Sequence, residues 1–336
     1  MQKATRIAFN GYLTQQAKIN DVTSATETFT VAPTPVQKLE KAIQESSGFL
    51  KKINIIPVDE AEGEAILLGV NGPTASRTAT GPGKRRQPRD VSAMSKDTYA
   101  CKKTNFDTSL SYQKLDTWAK FPEFQTILSG SIAERQGLDR IMIGFNGTSA
   151  AADTDLDANP MLEDVNIGWL QKMRDKAPDR VIDEGATAGK VKLGATGDYK
   201  TLDALVFDAI QLLDPWHRKR PDLVVIVDPA LLHAKQLKAL ENGAASNQEA
   251  NAADEIITKT RVGGLPIEND APFFIEGGVW VGPLKVLSIY YQADKRRRHI
   301  RDEPDADQVA DYQSSNEAYV IEDFGACALV ENIEKV

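Results

Sequence analysis

Apolar positions change period several times along the chain, and each change marks an element. Ile7, Phe9, Tyr12, Leu13, Ala17 and Ile19 recur at nearly helical spacing among polar neighbours, which predicts a short amphipathic helix. Such a helix reads equally as a frayed terminus or as a detachable segment. A Thr- and Ser-rich linker, residues 21–30, follows it. Thr34-Pro35 opens a second helix with Val36, Leu39, Ile43, Phe49 and Leu50 as its apolar face. Ile53 to Val58 then runs extended. Two strand-like segments, Gly63 to Val70 and Thr98 to Tyr112, flank a middle rich in Gly, Pro, Ser and Thr that cannot pack by itself. On the return segment Phe106, Thr108, Leu110 and Tyr112 share a face, opposite Asp107, Ser109 and Ser111. A hairpin loop normally takes about two to five residues. This one is far longer, so the pair is expected to be either a flexible excursion or an arm whose binding surface belongs to another molecule.

The longest helical stripe follows Phe121-Pro122 and carries Phe124, Ile127, Leu128, Ile132, Leu138, Ile141 and Met142 to Gly144. It predicts a rod of roughly 30 Å at about 1.5 Å per residue. Gly130 is a point where it can bend, and Phe145-Asn146-Gly147 is its stop. After a small, acidic stretch at residues 148–159, helix and strand signals mix. Helices are expected across Val165 to Met173, from Thr201 to a stop at Asp214-Pro215-Trp216, after the cap Asp228-Pro229, and over Ala250 to Thr258. Leu223 to Val227 reads as a buried strand. The tail is mostly β, with strands over Gly278 to Val281, Val286 to Tyr291, Glu317 to Ile321 and Cys327 to Ile333. Trp118, Trp169, Trp216 and Trp280 are expected to anchor the core.

Composition narrows the class. The chain has 336 residues, 41% hydrophobic and 26% charged, enough for two compact units or one core with a large insertion. A net charge of -8 excludes a polyanion binder of the histone kind. Positive charge is local, at Lys84, Arg85, Arg86 and Arg89 in the tip of the long hairpin and at Lys295, Arg296, Arg297 and Arg298. The tip has no aromatic residue between Asn71 and Thr98, which disfavours single-strand nucleic-acid binding and favours salt bridges to an acidic protein neighbour, copies of this chain included. Cys101 and Cys327 are far apart and are expected to be reduced thiols of a protein made in the cytoplasm. No apolar run approaches bilayer length, and the N-terminus has no signal-peptide core, so no membrane role is expected.

Catalytic signals are weak. His217, His233 and His299 are widely spaced and match no metal-ligand pattern. Gly81-Pro82-Gly83-Lys84 and Gly185 to Lys190 lack the spacing and the Ser or Thr of a phosphate loop. Asp153, Asp155 and Asp157 begin like a calcium loop without its central Gly or closing Glu, and read as a solvated loop. The acidic group Asp302, Glu303, Asp305 and Asp307, next to the basic run, reads as a solvated turn, with a local charge network as the alternative. No catalytic, cofactor-binding or metal-binding residue is assigned.

Collinear stretches carry a more specific message. Gln44-Glu45-Ser46-Ser47, Gly144-Phe145-Asn146-Gly147, Asn159-Pro160-Met161-Leu162, Gly168-Trp169-Leu170-Gln171-Lys172, Pro221 to Val227 and Leu287-Ser288-Ile289-Tyr290-Tyr291 occur in this order. In these the chain resembles, over nearly its whole length, the major capsid proteins of Peduovirus-type temperate tailed phages. The resemblance implies the α+β Hong Kong 97-type capsid fold. Residues 1–30 would be a scaffold-like propeptide, 31–57 an N-terminal arm and 58–113 an extended loop overlapping a neighbour. Residues 114–147 would form the spine helix of a peripheral domain, 148–285 an axial domain and 286–336 the strands that complete the peripheral domain. It further implies pentamers and hexamers of an icosahedral head around double-stranded DNA, assembled in the bacterial cytoplasm with a scaffolding and protease protein and a portal. A cut near Phe29, within Thr28-Phe29-Thr30, follows from the same resemblance. The rival readings are a soluble enzyme with a mobile lid loop and a nucleic-acid-binding protein using the basic tip.

Overall fold

The computed structural model describes residues 1–70, 75, 77, 85–86, 92–118, 124–233 and 261–336. Its elements begin with α1 (Lys3–Ile19), β1 (Phe29–Thr30), α2 (Pro33–Ser46) and β2 (Asn54–Val58). There follow β3 (Glu62–Val70), β4 (Ser92–Ala100), β5 (Lys102–Asn105), β6 (Thr108–Ser111), α3 (Tyr112–Trp118) and α4 (Phe124–Asn146). The middle of the chain holds α5 (Trp169–Lys176), β7 (Val181–Ile182), β8 (Val191–Leu193), α6 (Leu202–Gln211), β9 (Val224–Val227), β10 (Arg261–Val262) and β11 (Leu265–Pro266). The last strands are β12 (Val279–Gly282), β13 (Leu287–Gln292), β14 (Arg297–Glu303), β15 (Gln308–Ile321), β16 (Ala328–Val330) and β17 (Ile333–Lys335). Helices and strands mix along the chain, the α+β class expected.

The long strand β15 organises a seven-stranded sheet ordered β1-β14-β15-β13-β2. Its first half lies between β14 and β6, β5 joins it at Ser314 to Glu317, and its second half pairs with β13. Against this sheet pack α2, α4 and α5, around an aromatic nucleus in which Phe145 lies 5.3 Å from Phe49 and 5.5 Å from Trp169. Trp169 also donates its indole N–H to the Ser288 carbonyl at 2.9 Å, so its polar end is satisfied inside the core. Gly144 is required there: a Cβ at that position would stand 2.1 Å from the Trp169 ring.

A second core lies under α6, against a four-stranded sheet ordered β7-β16-β12-β9. Thr201 caps α6, its hydroxyl accepting the Ala204 N–H at 3.2 Å. Asp228 does the same for the helical turn at 229–233, accepting from Ala230 at 2.9 Å. The small pairs β10–β11 and β8–β17 complete the strands.

Four expectations are corrected. The return segment Thr98 to Tyr112 is not one strand. The β3–β4 ladder ends at Glu62 opposite Ala100, and from Lys102 the chain transfers its backbone hydrogen bonds to β15, as β5 and then β6. The face alternation survives, with Thr108 and Leu110 half-buried and Ser109 and Ser111 exposed, but Tyr112 begins α3. The helix over Val165 to Met173 starts only at Trp169, because Gly168 is extended and its N–H bonds to the Gly147 carbonyl at 2.9 Å. Trp216 is no core anchor, being 56% exposed, whereas Trp169 and Trp280 are buried. The acidic group at 302–307 is more than a solvated turn, since Asp302 accepts from both Arg6 and Tyr112. The expected helix Ala250 to Thr258 and the helix opening at Phe121-Pro122 lie outside the described residues.

Candidate assembly surfaces

Among the described residues β3 and β4 pair only with each other, in an antiparallel ladder of nine residue pairs. It is anchored at its base, where the Tyr99 ring meets Tyr290 edge-on at 5.1 Å. A lone two-stranded hairpin is marginal in water. At its tip Arg85 and Arg86 are exposed, while Lys84 and Arg89 lie outside the described residues.

The second basic run does not form one patch. Strand alternation splits it, leaving Lys295 and Arg297 exposed and turning Arg296 and Arg298 inward. Arg298 donates to Asp311 at 2.6 Å, to the Tyr12 hydroxyl at 2.7 Å and to Gln16 at 3.0 Å, clamping α1 onto β14. Further contacts along α1 join Arg6 to Asp302 and the Gln2 N–H to Asp116. Tyr112 shares Asp302, and that hydrogen bond to a carboxylate pushes its phenol up to about 12.

Arg296 belongs to a buried ionic network that spacing alone does not announce. Arg140 of α4 donates to Glu317 of β15 and to Glu40 of α2, each at 2.6 Å. Arg296 reaches the same Glu40 at 2.6 Å and Gln136 at 2.8 Å. The two carboxylates and two guanidiniums balance in charge. Burial alone would raise the Glu40 carboxyl, but Arg140 and then Arg296 outweigh it and hold Glu40 below the ordinary glutamate range. The network ties α2 to α4 and the central sheet. One signal was available: Glu40 sits in the apolar stripe between Val36 and Ile43, where a solvated carboxylate does not belong.

The expected cleavage region is ordered here. Phe29 is buried, in an edge strand paired with Arg298, while Thr28 and Thr30 are exposed beside it. Both cysteines are free thiols, Cys101 half-buried and Cys327 buried, and burial pushes the Cys101 thiol up to about 11. Among the described residues no group of His, Cys, Asp and Glu is arranged to hold a metal ion, and no helix is long and apolar enough to cross a membrane. His217 pairs with Asp323 at 3.0 Å, and Asp153, Asp155 and Asp157 are exposed.

Comparison with known proteins places this geometry. The family model described as phage major capsid protein, P2 family, matches residues 8–333. Capsid proteins of Escherichia phage P2 are 44% identical over 99% of this chain and 96% of the relative. The major capsid protein of Serratia phage KSP20 is 42% identical, over 99% of this chain and 97% of the relative. Among solved structures, a chain of the satellite phage P4 procapsid, which includes a size determination protein, superposes with a TM-score of 0.83. It is 41% identical and covers 100% of this chain and 99% of that one. The capsid of an empty GTA particle shares the fold alone, at TM-score 0.52 and 17% identity, covering 86% of this chain and 90% of that one.

Proposed function

The chain belongs to the P2 family of phage major capsid proteins, and from that premise we propose how its parts build a head. It is a major capsid protein with the Hong Kong 97-type fold, a structural subunit whose copies form the icosahedral shell of a virion. The observation that carries this is the match along essentially the whole chain.

In our reading the subunits form pentamers and hexamers around double-stranded DNA. Assembly takes place in the host cytoplasm with a scaffolding and protease protein and a portal. The seven-stranded sheet with α4 serves as the peripheral domain, the α6 core as the axial domain and β3–β4 as the extended loop. Lys84, Arg85, Arg86 and Arg89 at the loop tip meet an acidic surface on a neighbouring copy. Residues 1–28 act as a propeptide, cut near Phe29; the edge position of β1 supports this, since an extended edge strand is what a protease takes hold of once it peels away. Cohesion comes from many modest interfaces per subunit acting together.

Sedimentation and negative-stain microscopy of the purified chain test the reading. Closed particles or capsomers are expected, and a small stable species at every concentration would overturn it. The net charge of -8 further leads us to expect a shell lining that repels the packaged genome. A cryo-EM charge map of the inner surface checks this, and a net-positive lining would contradict it.

A further inference from the structure

Under α1 lies a cavity of about 330 Å³. Its apolar walls are Phe9 of the helix itself, Leu110 of β6, Leu128 and Ile132 of α4, and Ile300 of β14. The helix roofs this space more than it fills it. Among α1 residues whose side chains are described, only Thr5 and Ala17 are fully buried, while Phe9, Tyr12 and Leu13 remain half-buried. Phe9, Tyr12 and Leu13 pack against the cluster around Ile300 and Val309, and polar contacts add to this: the Arg6–Asp302 pair and the Arg298 bonds to Tyr12 and Gln16.

The charged and amide groups on the cavity wall are already matched. Arg298 is bound to Asp311, and Gln313 bonds to Asp311 and Gln136, which in turn accepts from Arg296. A charged entrant would lose its hydration and find no free counter-charge, at a cost the site does not offset. An apolar entrant gains burial and replaces contacts that the void leaves unmade. An apolar cavity of about 150 Å³ is enough to take up benzene; this one, partly open to solvent and with Arg298 and Asp311 on its wall, has roughly twice that volume.

We propose that the cavity is a binding site for a small uncharged apolar molecule, aromatic or branched aliphatic, and that its occupancy holds α1 against the subunit. The ligand needs the roof, so it binds the docked state of α1 and depopulates the open one. At a free concentration of about 100 times Kd, opening should fall about 100-fold. This goes beyond shell assembly: it makes the docking of the N-terminal helix sensitive to a ligand.

The test uses the full-length chain with p-xylene as probe and benzoate as its charged counterpart, followed by saturation-transfer NMR. Chymotrypsin cutting at Phe9, Tyr12 and Leu13 reports opening, because helical bonds are cut only after the segment releases. Binding of p-xylene but not benzoate is expected, with cleavage within α1 slowed at least tenfold near saturation. Ile132→Trp, which puts an indole into the space, should weaken p-xylene binding at least tenfold while the circular dichroism spectrum is kept. If that variant fails to fold, Leu110→Trp from the opposite wall gives the same reading. Absence of p-xylene binding, equal binding of benzoate, or binding that these variants leave unweakened would overturn the site. Binding without slower cleavage would overturn the coupling to α1.

Discussion

At Glu40 the apolar face of α2 admits a charge because two guanidiniums reach it, Arg140 and Arg296, each at 2.6 Å. Removing the carboxylate strands Arg296 without its ion-pair partner in a site where it is 2% exposed. Breaking a buried pair from one side costs about 3–5 kcal/mol, so Glu40→Ala should lose about that much, read as a lowered urea midpoint at unchanged slope. The pH dependence has a definite sign. The folded-state pKa of Glu40 lies below its unfolded value, so its contribution is fully present above the ordinary glutamate range. It is lost as pH falls through the depressed folded value. Chemical denaturation from pH 7 downwards should therefore show wild type and Glu40→Gln converging in acid; a constant gap would count against the assignment. Sequence exposed this network only in part. Glu40 broke the α2 stripe visibly, but its partners lie 100 and 256 residues away, and no local pattern encodes which distant arginine turns inward.

Elements with one apolar face were legible, and elements defined by their partners were not. The stripes of α4 and α6 follow from helical periodicity, and the buried strands β9 and β13 from continuous apolar runs. By contrast β14 and the first half of β15 are rich in charged and amide side chains. Their ladder holds because those side chains pair within the sheet, as Arg298 does with Asp311 at 2.6 Å. The return segment misled for a related reason: its alternation is continuous while its hydrogen-bond partner changes from β3 to β15 near Cys101. That exchange leaves β3–β4, among the described residues, as a two-stranded ribbon, and we propose that its tip meets a neighbouring copy. Replacing Lys84, Arg85, Arg86 and Arg89 together by Ser should leave the subunit's unfolding midpoint within experimental error. The yield of closed particles in sedimentation should fall severalfold, most steeply at low salt, since raised salt already screens the same charge pairs in the wild type. A variant that no longer folds would show that the tip supports its own chain instead.

A shell subunit must also present apolar surface that solvent covers only until a neighbour arrives. Phe207, on the outward face of α6, is 62% exposed and Trp216, just beyond that helix, is 56% exposed. Arg218 donates to the Gln211 carbonyl at 2.6 Å, one helical turn from Phe207, and the Trp216 ring lies 5.8 Å from His217. Large aromatic side chains exposed beside an Arg are the composition that binding hot spots favour, and the family's shells supply copies of the same chain as the occupant. Because neither ring is in the subunit core, Phe207→Ser with Trp216→Ser should change the stability of the isolated subunit by no more than about 0.5 kcal/mol. In the shell the same pair of changes recurs at every subunit, so a loss of about 1.4 kcal/mol per contact would be a tenfold weakening at each. Assembly titrated against protein concentration should then need at least tenfold more of the variant. An unchanged threshold would mean that these rings face solvent in the finished head and that cohesion rests on the hairpin and the N-terminal arm.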